Sequence, residues 1–83
     1  MINKELFASV FKNYGIERVL LNKDESNYNF IISQMNNNIS LERWEQLENI
    51  LKDITKSNVN IFGLEQATKY LSNTYIEESM VIL

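Results

Sequence analysis

Two stretches decide the reading of this chain: Ser26-Asn27-Tyr28-Asn29-Phe30-Ile31-Ile32 and Asn58-Val59-Asn60-Ile61-Phe62. Their aromatic and β-branched content is that of strands. Side chains on a strand repeat every second residue, so Asn27 and Asn29 share a face, and Asn60 can join them from a neighbouring strand. Three aspartates so placed would make a metal site. Asparagine has nearly the same shape but no charge, and its amide nitrogen presents donors where a cation would sit. The residues outline a site and withhold its chemistry.

Working outward, Leu6, Phe7, Val10, Phe11 and Tyr14 form an i, i+3, i+4 stripe that predicts a helix around 3–14. Gly15 follows it and suits a left-handed C-cap. Arg18-Val19-Leu20-Leu21 reads as a buried strand around 18–22. Lys23 to Asn27 supplies turn chemistry, and the next strand runs around 28–33, which makes the pair a hairpin. Asn36-Asn37-Asn38 is a loop, and Ser40 N-caps a helix around 41–54. Leu41, Trp44, Leu47, Leu51 and Ile54 recur on one face of that helix, so Trp44 is expected to be a buried core anchor.

A third strand around 58–62 ends at Gly63, and Leu64, Ala67, Tyr70 and Leu71 mark a helix around 64–72. Thr74-Tyr75-Ile76-Glu77 has the form of a capping box opening a last short helix. Met80, Val81, Ile82 and Leu83 form an apolar run that is expected to pack on the domain, contact a second copy, or serve as a partner interface. The order α-β-β-α-β-α predicts a small α+β domain, with a mixed sheet of about three strands flanked by helices.

The 83 residues predict one domain of modest stability. With neither cysteine nor histidine, thiol nucleophiles, disulfides, serine–histidine mechanisms and histidine-based metal motifs are excluded. A net charge of −3 argues against an electrostatic nucleic-acid partner. Lys4, Lys12, Arg18 and Lys23 outweigh Glu5 and Glu17 in residues 1–23, so the surplus acidity lies in 24–83. The adjacent pairs Asp24-Glu25 and Glu77-Glu78 read as solvated surface. No secretory signal and no apolar run of membrane-spanning length is visible, so no membrane partner and a cytoplasmic location are expected.

The element order and several local patterns resemble the minimal nucleotidyltransferases of the polymerase-β-like superfamily. Tyr14-Gly15-Ile16-Glu17-Arg18-Val19-Leu20-Leu21 is similar to the family's entry into its first strand. Ser26 to Ile32 occupies the place of the Ser-Asp-x-Asp strand, and Asn58 to Phe62 that of the strand with a third Asp. Leu64-Glu65-Gln66-Ala67 and Ile76 to Leu83 look like the family's ending. The resemblance spans most of residues 1–83, and no single motif in it is specific.

The departures carry the functional expectation. Asn27, Asn29 and Asn60 stand at the three aspartate positions and become vestigial metal-site positions. Leu21-Asn22-Lys23-Asp24 stands where the family has the Gly-Ser motif that helps hold nucleotide phosphates, and the loop before Ser26 is shorter than usual. The resemblance therefore implies a fold without its reaction: no catalytic residue, no metal and no cofactor. By analogy it implies a protein partner, either a small helical HEPN-type protein for which the chain is antitoxin or assembly subunit, or a second copy. Two alternatives stand beside it: a small phage- or plasmid-encoded inhibitor of a host protein, and a residual nucleotide-binding or nucleotidyltransferase enzyme.

Overall fold

The computed structural model of the chain describes residues 3–23, 26–35, 38–70 and 79–83, with Tyr70 described by its backbone alone. Asn3 opens α1 (Lys4–Lys12), its Oδ1 accepting the Leu6 N–H at 3.1 Å. The capping bond satisfies one of the donors a helix leaves unpaired at its start. Gly15 takes φ 74°, the left-handed conformation that a residue without Cβ adopts at no steric cost, and turns the chain into β1 (Ile16–Lys23).

β1 pairs antiparallel with β2 (Asn27–Met35), from Lys23↔Tyr28 at the hairpin end to Ile16↔Met35, with irregular register between Ile16 and Val19. Ser40 Oγ then accepts the Arg43 N–H and caps α2 (Leu41–Thr55), which closes on Lys56 in the left-handed region. β3 (Asn58–Gly63) runs parallel to β2, a pairing that requires a crossover, and α2 supplies it. Gly63 leads directly into α3 (Leu64–Tyr70), and its N–H is donated to Gln66 Oε1 at 3.2 Å. That bond is the backward half of a capping box.

The fold is α+β, as the sequence predicts, but the described sheet has four strands in the order β3-β2-β1-β4 instead of about three. The extra strand is β4 (Met80–Val81), drawn from the apolar run, which lies antiparallel to β1. Ile82 and Leu83 continue the pairing through backbone bonds with Val19. The capping box at Thr74, the end of the helix predicted to residue 72, and the acidic pairs at 24–25 and 77–78 lie outside the described residues. Among the described residues, no helix is long and apolar enough to cross a membrane.

One face of the sheet carries the main core. Phe7 and Phe11 of α1 and Leu47 and Leu51 of α2 close over Val19, Leu21, Phe30, Ile32 and Val59, and Ile82 joins them. The Phe30 ring lies 5.3 Å from Phe7 and 5.1 Å from Phe11 at tilted angles, within the range where aromatic pairs add to area burial. Arg43 ties the two helices together, its guanidinium 4.7 Å from the Tyr14 ring and its Nη2 donated to the Asn13 carbonyl. On the opposite face Ile31 is fully buried, as is Ala67 of α3.

Two expectations for α2 are corrected. Leu41 is 77% exposed, because it sits in the first turn, ahead of the segment that reaches the sheet. Trp44 is half-buried, packed against the rim of the core instead of filling its centre. Removing Leu51, which is fully buried, should cost about 2–5 kcal/mol as Leu51→Ala, and Trp44→Ala should cost less than that. Denaturant midpoints for the two variants check the order. A reversed order would place the tryptophan back in the core.

The C-terminal run divides by parity. Ile82 is 7% exposed and belongs to the core, whereas Val81 points away and is 61% exposed. Ile82 is therefore committed within the domain, and as a partner interface the run reduces to Met80, Val81 and the half-buried Leu83. Deleting residues 80–83 should lower stability by at least the ~1.5–3 kcal/mol associated with burying one large aliphatic side chain. An unchanged denaturant midpoint would show that β4 adds nothing to the fold.

Candidate functional site: an asparagine row across the sheet

The pairing of β2 with its neighbours decides where the singled-out asparagines fall. Asn29 lies opposite Asn60 on β3 and opposite Asn22 on β1, and Asn27 lies opposite Asn58. Directly paired residues project to the same face, so Asn22, Asn29 and Asn60 form one row across three strands. Phe30 and Ile32 face the core, which turns Asn27 and Asn29 to the opposite face, as alternation predicts.

The structure brings Asn29 and Asn60 into direct contact. Asn60 Nδ2 donates to Asn29 Oδ1 at 2.9 Å, and Asn29 is only 6% exposed. Asn27 lies two residues earlier on the same strand, and its Nδ2 donates to Ser26 Oγ at 3.3 Å. Asn22 and Asn58 were missed by sequence reading. Asn22 is legible once the hairpin is closed at Lys23↔Tyr28, because that register places it opposite Asn29. Asn58 follows from the parallel register of β3, which no local pattern announces.

The residues present do not fit a divalent cation. Such an ion prefers charged oxygen ligands, whereas Asn29 Oδ1 is already used as the acceptor for its neighbour's amide. Among the described residues, no group of three Asp, Glu, His or Cys side chains could hold a metal. Lys23, the one cation of the hairpin end in the described residues, lies 5.3 Å from the Tyr28 ring. What the row does is link β2 to β3 through a part-buried amide–amide bond.

A hydrogen bond of this kind contributes about 0.5–1.5 kcal/mol net. Asn60→Ala leaves the buried Asn29 carbonyl without its cross-strand donor. The variant should lose about 0.5–1.5 kcal/mol by denaturant titration, more than expected for truncating an exposed edge-strand residue. A loss near zero would mean that the bond does not hold β3 in register.

No family model matches the chain, and neither a curated protein nor a solved structure matches it.

Proposed function

We propose that this chain is a non-catalytic, nucleotidyltransferase-like protein-binding module of the cytoplasm. Its role is that of antitoxin or assembly subunit, paired with a small helical, HEPN-type protein or with a second copy. The observation that carries the reading is the Asn29–Asn60 pair. These positions correspond by resemblance to two of the family's metal-binding aspartates, and they meet at 2.9 Å as neutral amides bonded to each other. Two carboxylates at that distance would repel and call for a cation or a shared proton between them. Neutral amides bond donor to acceptor, so the contact holds without an ion. The missing histidine and cysteine remove the usual alternative bases and nucleophiles.

Thermal unfolding tests this directly. The variant carrying Asn27→Asp, Asn29→Asp and Asn60→Asp should melt below the wild type in chelator and recover by several degrees in Mn²⁺. A ligand that binds only the folded state raises its stability, and ~1 kcal/mol moves the midpoint of a domain this size by roughly 4–8 °C. The wild type should show no such response and should transfer no nucleotide from ATP to any protein. A variant indifferent to Mn²⁺ would end the nucleotidyltransferase reading. Label transfer by the wild type would end the non-catalytic one.

A further inference from the structure

β3 is an edge strand: among the described residues it pairs with β2 alone. Natural edges are commonly blunted by charged side chains, proline or a bulge. This one, Asn58-Val59-Asn60-Ile61-Phe62-Gly63, carries no charge and no proline, and its six register pairs with β2 run without interruption. An unbulged, uncharged strand of this length is a template for another strand unless something covers it.

A cavity of about 630 Å³ follows that edge. Its lining includes every residue from Val59 to Gly63, and these alternate between the two faces of the sheet. Together with Ser33 to Met35 beyond the end of β3, this lining wraps the strand's outer side and its C-terminal end. Trp44 and Glu48 of α2 wall it on the core face, and Gln66 of α3 contributes from the end where β3 turns into helix. β2 runs on past the end of β3, and its Ser33 to Met35 prolong the floor.

We propose that this edge is a docking site for an extended segment of a partner protein, apolar and basic in composition, which adds to the sheet beside β3. The interaction deepens the protein-binding part of the proposed function and does not depend on the family resemblance. An extended segment fits because it offers backbone donors and acceptors to an edge that is unpaired among the described residues. A helix bonds its own backbone internally and is roughly 10 Å across, so it can offer neither. A terminal arm of a helical partner meets the requirement. The basic character follows from charge: Glu48 is the one ionisable side chain in the lining, on a helix that carries Glu42, Glu45, Glu48 and Asp53 against Arg43 and Lys52. Its ion pair with Lys52 at 3.0 Å is exposed on both sides, so a lysine or arginine of the incoming strand can compete for it.

The test titrates the wild-type chain with fluorescein-labelled peptides of about eight residues, enough to span the edge at ~3.3 Å per residue. One alternates lysine and valine, the second alternates glutamate and valine, and the third is the lysine–valine peptide interrupted by prolines. The first should bind, the second roughly tenfold more weakly or worse, and the third not at all. Bound peptide should shift the backbone amides of Asn58–Gly63 and Ser33–Met35. In Glu48→Lys, with its fold checked by far-UV circular dichroism, the preference between the first two peptides should reverse. Equal binding of the three, no binding of any, or amide shifts centred on α1 or β4 would overturn the proposal. So would a concentration-dependent dimer of the free chain with its β3 amides protected, because the occupant would then be a second copy. The Mn²⁺ melting experiment is unaffected by any of these outcomes, so the two readings fail separately.

Discussion

Burial of the Phe30 ring against Phe7 and Phe11 is the constraint from which the rest of the structure follows. A strand slipped by one residue turns every side chain to the other face, so an aromatic held between two helical aromatics fixes the parity of β2. With Phe30 and Ile32 directed at α1 and α2, Asn27, Asn29 and Ile31 have to face the other way. β2 is also the strand both neighbours use, antiparallel β1 on one side and parallel β3 on the other. Its parity therefore propagates in both directions, setting Asn22 and Asn60 beside Asn29.

Burying Asn29 imposes a second requirement. A buried amide without partners costs more than a hydrogen bond contributes, so its neighbours have to include complementary polar groups. Asn60 supplies one, and no described buried side-chain nitrogen or oxygen lacks a hydrogen-bond partner. The two requirements reinforce each other: aromatic packing on one face sets the parity of β2, and an amide pair on the other holds β3 in register. Carboxylates in the same row would need a shared proton or a cation between them, whereas neutral amides bond to each other directly.

The two edges of the sheet are managed differently. β4 is two residues long, and a short edge offers little for another strand to pair with. β3 is six residues long and has neither charge nor proline to discourage pairing. Among the described residues, what stands beside it comes from outside the strand: Trp44, Glu48 and Gln66 around the cavity. The half-buried position of Trp44 makes sense there: the indole packs on the rim of the core and also forms one wall of the cavity at the open edge.

Much of the framework was legible in the residues themselves. Phe7 and Phe11, and Leu47 and Leu51, lie on the apolar stripes that predict α1 and α2, and these four side chains are buried. Gly15, Ser40 and Gly63 mark real boundaries, because capping and positive φ are local properties of the backbone. The shared face of Asn27 and Asn29 follows from the period of a strand alone. What required the tertiary structure is whatever depends on a partner distant in sequence. The meeting of Asn29 with Asn60 rests on a parallel register thirty-one residues apart. The strand at Met80–Val81 is too short to show a period and exists because β1 has an edge free to pair with it. Leu41 and Trp44 carry the helical pattern of the core, yet their depth is decided by where α2 crosses the sheet. Periodicity determines which way a side chain points; only packing determines what it meets there.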